Sequence, residues 1–124
     1  TEEEKLQHLV NLTGIFPISM VVNERLQELF EEKMVPPISE YDAELGYCWF
    51  IPREVIEKKT RNGKPFYLVK VIDSNSEENT IKCWGVDPKR DKVYVNRPYM
   101  ARLNWDPQWG FSTRSVRKMF KMLG

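Results

Sequence analysis

The order of apolar and polar positions changes character about one third of the way along the chain. Over residues 2–12, Leu6, Leu9, Val10 and Leu12 recur at the three- and four-residue spacing of an amphipathic helix. Gly14 and Pro17 end that pattern. Ser19 or Asn23 can cap a second helix, whose stripe is Val22, Leu26, Leu29, Phe30 and Met34. Pro36-Pro37 stops it, since proline lacks the amide and clashes with the preceding turn. Leu26-Gln-Glu-Leu-Phe30 ends like a sliding-clamp motif but lacks its leading glutamine, and Leu26, Leu29 and Phe30 read as core. From residue 45 on, aromatic and β-branched residues alternate with polar ones and turn residues separate the runs. This predicts five strands, at about 46–58, 66–73, 79–86, 92–103 and 109–114, with Pro98 as a break in the fourth. The turns fall at Arg61-Asn62-Gly63-Lys64, where Asn-Gly tolerates positive φ, at 74–79, and at Asp106-Pro107-Gln108. Val116, Met119, Phe120 and Leu123 predict a short basic helix over 115–123.

Short strands at close spacing suit a small barrel, and five of them suit a Greek-key OB-fold. The expected architecture is therefore mainly β: a helical extension and linker over 1–44, then a five-stranded OB barrel with a C-terminal helix over 45–124.

Charge changes this picture more than composition does. The 124 residues are 41% hydrophobic and 30% charged, and their net charge is only +1. Residues 1–57 carry twelve acidic and four basic side chains, a net −8, whereas residues 58–124 carry fifteen basic and six acidic, a net +9. The basic half points to an anionic partner. No apolar run approaches the roughly 20 residues of a bilayer span, so no membrane partner is expected. The polar start Thr1-Glu-Glu-Glu-Lys5 is not a signal peptide, and a first residue other than Met suggests a fragment or a processed chain. Cys48 and Cys83 lie in apolar stretches, which favours two buried reduced thiols and a cytoplasmic location, with a disulfide as the alternative. His8 is the only histidine and there is no CxxC, so neither metal nor other cofactor is expected. There is no nucleophile–histidine–acid set, phosphate loop or paired-carboxylate motif; the chain itself reads as non-catalytic.

The stretch Ile51-Pro-Arg-Glu-Val-Ile-Glu-Lys-Lys-Thr-Arg-Asn-Gly-Lys-Pro-Phe-Tyr-Leu-Val-Lys-Val-Ile-Asp73 resembles the OB domain near the C-terminal end of bacterial and phage DNA polymerase III alpha subunits, the C-family replicases. Thr80-Ile-Lys-Cys-Trp84 is similar to that domain's third strand, and Leu12-Thr-Gly-Ile-Phe-Pro-Ile18 to the segment before the barrel, with Phe16 where the family usually has histidine. The resemblance implies a non-catalytic fragment of a DNA-directed DNA polymerase that holds single-stranded template DNA. Its partners would be that DNA and the rest of the polymerase or other replication proteins.

Alternation names the residues. On the second strand Tyr67, Val69, Val71 and Asp73 share one side and Phe66, Leu68, Lys70 and Ile72 the other. On the third, Ile81 and Cys83 oppose Thr80, Lys82 and Trp84. A core of Val69, Val71, Ile81 and Cys83 leaves Leu68, Lys70, Lys82 and Trp84 facing out, where cations meet phosphates and an indole stacks on a base. Trp84 fits the core equally well. Lys58, Lys59, Arg61 and Lys64 make the first hairpin a basic rim. Arg102, Trp105, Trp109 and Arg114 flank the last hairpin and complete the candidate nucleic-acid-binding set, although one of its two tryptophans fits a cross-strand pair instead. An RNA- or tRNA-binding barrel and a protein-interaction module are the alternative functions; the second assigns the contact to the acidic helices.

Overall fold

The computed structural model describes residues 18–123. The predicted helix over 2–12, His8, and the Leu12–Pro17 part of the resemblance lie outside the described residues. The fold is mainly β, a curled seven-stranded sheet with few and short helices.

One helical turn, α1 (Ile18–Val21), leads into α2 (Glu24–Glu32). Asn23 caps α2: its backbone is extended and its side-chain oxygen accepts from the Leu26 amide at 2.9 Å. Both segments fall within the region of the second predicted helix. Past Met34, which turns the chain at φ 57°, Pro36 and Pro37 run beside the first strand, and the Pro36 carbonyl accepts from the Trp49 amide at 2.9 Å. A 3₁₀ turn, Ile38–Glu40, then seats Ile38 in the core. The buried carboxylate of Asp73 holds this turn, accepting from the Ser39 amide at 2.7 Å and from the Asn75 amide at 2.9 Å. Asp73 thus joins a local bond at its own turn to a long-range one that ties the 3₁₀ turn to the end of the strand Pro65–Ile72.

The strands are β1 (Tyr47–Lys59), β2 (Pro65–Ile72), β3 (Asn79–Cys83), β4 (Tyr99–Arg102), β5 (Asn104–Asp106), β6 (Gly110–Thr113) and β7 (Phe120–Met122). Their order is β5-β6-β3-β2-β1-β4-β7; all neighbours are antiparallel except β3 and β6, which are parallel. β4 and β5 stand near opposite ends of that order, yet Leu103 alone separates them in the chain. The sheet therefore has to curl until its ends come together, and the Leu103 amide bonds the Gly46 carbonyl at 3.0 Å at the join.

Among the described residues seven strands replace the expected five: β5 forms just past the predicted fourth strand and pairs with β6, and β7 forms inside the predicted C-terminal helix. The predicted strand over 92–103 is ordered as a strand only from Tyr99. Before it, Asn96 takes φ 62°, and the Tyr94 amide donates to the Tyr99 hydroxyl at 2.9 Å instead of to a neighbouring strand. The predicted helix over 115–123 is one turn, α3 (Val116–Met119), after which β7 pairs with the open edge of β4. The first hairpin also differs in detail. Asn62 is not in the positive-φ region; only Gly63 is, at φ 79°, so Arg61-Asn62-Gly63 form a three-residue loop closed by the Thr60 amide on the Lys64 carbonyl at 2.8 Å.

β1 contains a bulge between Pro52 and Glu54. Before it the outward side chains are Trp49 and Ile51; after it they are Glu54, Ile56 and Lys58, so the extra residue shifts the outward side from odd to even positions. The bulge also accommodates a fully buried proline, whose carbonyl accepts from the Asn96 amide at 2.8 Å, while the Arg53 guanidinium donates to the Asn96 side chain.

Two apolar clusters result. The inner one joins Cys48, Phe50, Val69, Val71, Ile81 and Cys83 with Tyr67, Tyr99, Leu103, Phe111 and Phe120. The four predicted core residues of β2 and β3 are all completely buried. The outer cluster packs Val22, Phe30 and Val35 on Trp49 and Ile51, with Phe30 stacked on Trp49 at 4.9 Å and 2°. Both cysteines are free and buried, and burial pushes each thiol from its ordinary 9.0 up to about 12.

Candidate nucleic-acid interface

Strand register assembles the site row by row on the outward side of the sheet. Ile56 lies opposite Leu68, Leu68 opposite Lys82, Lys82 beside Ser112, and Ser112 opposite Asn104. The next row pairs Lys58 with Phe66, whose ring lies 4.8 Å from that of Trp84 at a tilt of 33°. On the other flank Glu54 lies opposite Lys70 and Lys70 opposite Thr80. An apolar strip of Ile56, Leu68, Phe66 and Trp84 thus has cations on both sides.

Trp84 is neither in the core nor fully free. Its ring packs on Phe66 and 37% of the residue is exposed. Two backbone features hold it there. The Trp84 amide donates to the Thr113 carbonyl at 2.8 Å, and Gly85, at φ 66°, brings the chain so close that a Cβ would sit 3.0 Å from the Arg114 carbonyl oxygen. Exposed Arg114 follows Thr113 at the end of β6 and therefore stands beside Trp84.

Trp109 comes to the same face from the last hairpin. The Asp106 carboxylate accepts from the Gln108 and Trp109 amides at 2.8 and 3.0 Å, which fixes the turn. The Lys82 ammonium then lies 5.2 Å from the centroid of the Trp109 ring, within cation–π range, and Trp109 is 64% exposed. Lys82 therefore ties the middle of the sheet to the last hairpin.

The first hairpin adds Lys58, Lys59, Arg61 and Lys64, all exposed. Lys58 points to the outward side with Phe66, whereas Lys59 pairs with Pro65 on the alternate side, beyond the end of the core. Lys70 is partly neutralised by Glu54 at 3.7 Å, a half-exposed pair of little energetic weight.

Two predicted residues lie apart from this group. Trp105 stands opposite Phe111, on the pleat side away from Asn104 and Ser112, and borders a cavity of about 420 Å³ with Ile38, Tyr41, Glu77 and Asn79. It takes the cross-strand position open to one of the two tryptophans. Arg102 is stacked on Tyr47 at 4.5 Å and donates to its hydroxyl at 2.6 Å, in a cleft with Lys118 and Lys121.

Phe66, Ile56 and Glu54 belong to the face but were not among the predicted site residues. Phe66 shares its side with Leu68 and Lys70, so the same alternation carried two residues further marks it. Ile56 and Glu54 depend on the bulge and had no signal in the sequence.

No protein-family model, no curated protein and no solved structure matches the chain.

Proposed function

We propose that the chain is a single-stranded nucleic-acid-binding module on an OB-type barrel. Support for the barrel type comes from the pairing. If Tyr99–Asp106 is taken as one strand interrupted at Leu103, the neighbours run β1, β2, β3, β6, β5/β4 and back to β1, with β3 and β6 parallel. In such barrels the second and third strands, together with the first and last hairpin loops, hold oligonucleotides. The observation that carries the function is the Lys82 contact with Trp109 beside the Trp84–Phe66 pair: two accessible indoles within one basic face.

The chemistry follows. Bases of a single strand can lie on Trp84 and Trp109, while Lys58, Lys59, Arg61, Lys64, Lys82 and Arg114 meet phosphates. A duplex keeps its base faces stacked inside and offers the indoles nothing. Neither contact reads base edges, so binding is largely indifferent to sequence. The resemblance to the polymerase III alpha OB domain adds a setting, a tethered domain that keeps template DNA beside a polymerase.

Anisotropy of a labelled oligothymidylate, titrated at about 50 mM and about 200 mM salt, tests this. Contact with roughly five phosphates gives a log–log salt slope near −3.5. A matching duplex should bind more weakly. Preference for folded RNA over single-stranded DNA would move the reading to an RNA-binding barrel, and no binding at the lower salt would refute it.

A further inference from the structure

The cleft that holds Arg102 has a chemistry of its own. It measures about 300 Å³ and is lined by Tyr47, Met100, Arg102, Lys118, Met119 and Lys121, together with Ala101. Three of these side chains are cationic and none is acidic. Among the described residues none of the three cations is ion-paired, whereas their neighbour Arg117 is engaged by Asp91 at 3.4 Å. Arg102 is held in place by its stack on Tyr47 and its bond to the Tyr47 hydroxyl, which among the described residues leaves most of its five N–H donors unused. The floor is apolar and deformable: Met100 half-buried, Met119 exposed. Arg102 already covers one face of Tyr47, and among the described residues no other aromatic ring lines the cleft, so a nucleobase has less to stack on there than on the Trp84–Trp109 face. An aliphatic side chain finds a platform on the two methionines.

We propose that this cleft docks an acidic, amphipathic segment of a partner protein, with carboxylates on Arg102, Lys118 and Lys121 and apolar side chains on Met100 and Met119. The argument is charge complementarity joined to an apolar floor. The cleft shares no residue with the Trp84–Trp109 face, so the proposal stands whether or not that face binds nucleic acid.

The test uses the whole chain and three probes. These are a fluorescein-labelled peptide of roughly a dozen residues with Glu and Leu at helical spacing, its Gln-for-Glu twin, and labelled oligothymidylate. The wild type should bind the acidic peptide, and Lys118→Glu/Lys121→Glu should weaken that binding at least about tenfold. The Gln twin should bind at least about tenfold more weakly than its parent. Oligothymidylate binding should keep the same dependence on Trp84 in both proteins. Met119→Asp, which retains all three cations, should weaken the peptide by itself. An unchanged melting temperature shows that each variant folds. Failure of the acidic peptide to bind, or binding indifferent to the double charge reversal, overturns the proposal. So does competition in which oligothymidylate displaces the peptide and loses its own binding in the double variant, since the cleft would then belong to nucleic acid.

Discussion

The two halves of β1 face the same way and meet different fates. Before the bulge, Trp49 and Ile51 lie under α2, and Trp49 is completely buried against Phe30. After it, Ile56 is half-buried and Lys58 exposed, and among the described residues no helix lies over the neighbouring aromatic pair, Phe66 and Trp84. Two aromatic pairs therefore sit on the outside of one sheet, a stacked one that is sealed and a tilted one that is open. The sealed pair is surrounded by aliphatic residues; the open pair has Lys58, Lys82 and Arg114 around it. An apolar strip left uncovered among cations is how a surface is built for a ligand that is both aromatic and anionic. The same residue types become structure in one half and a candidate site in the other, because α2 reaches only as far as the bulge.

The largest expected effect breaks the sealed half. Trp49→Ala or Phe30→Ala should lower stability by about 3–5 kcal/mol in urea denaturation, through a cavity in the outer cluster. Cys48, next to Trp49, reports the damage. Thiol labelling at pH 8 should be slow in the wild type, since both thiols are buried and pushed up to about 12, and faster in these variants. The sign of the linkage follows. A thiol raised on folding adds stability that is complete below its ordinary value of 9.0 and is lost as pH climbs from there toward about 12. The urea midpoint should be flat with respect to the thiols up to pH 9 and fall above it.

The matching change in the open half should do the reverse. Trp84→Ala should leave the melting transition largely in place and cost oligonucleotide binding about 1–3 kcal/mol. If Trp84→Ala unfolds the protein as severely as Trp49→Ala, the distinction between the halves fails.

How much of this was legible in the sequence follows from which signals are local. Alternation on β2 and β3 fixed Val69, Val71, Ile81 and Cys83 as core and put Leu68, Lys70 and Lys82 outside, because both strands are flanked by partners on either side and keep a strict two-residue period. Asn23, one of the two caps the sequence offered, and the prolines bracketed α2 through backbone chemistry that needs no partner. The bulge was illegible: one extra residue in a thirteen-residue strand is decided by how β1 serves β2 on one stretch and β4 on another. The strand β7 was illegible for a similar reason. Phe120–Met122 is extended because the edge of β4 offers it hydrogen bonds, while its apolar spacing alone fits a helix. Trp105 and Trp109 differ only in the side of the hairpin they take, and that depends on where β6 joins β3.

Smaller changes sharpen the boundary of the open face. Lys58→Glu with Lys64→Glu should weaken binding to every oligonucleotide alike and flatten the log–log salt slope by roughly 0.7 for each phosphate that is no longer neutralised. Glu54→Gln, which frees Lys70, should tighten binding slightly at low salt, by less than about 1 kcal/mol, and have no effect at high salt.

The most direct measurement uses the four tryptophans, whose indole N–H signals can be resolved and assigned by single Trp→Phe variants. On addition of oligothymidylate, the signals of Trp84 and Trp109 should shift together with one saturation curve, while those of Trp49, under α2, and Trp105, on the other side of the hairpin, stay in place. Shifts confined to Trp49 or Trp105, or no shift at a concentration that saturates anisotropy, would contradict the account.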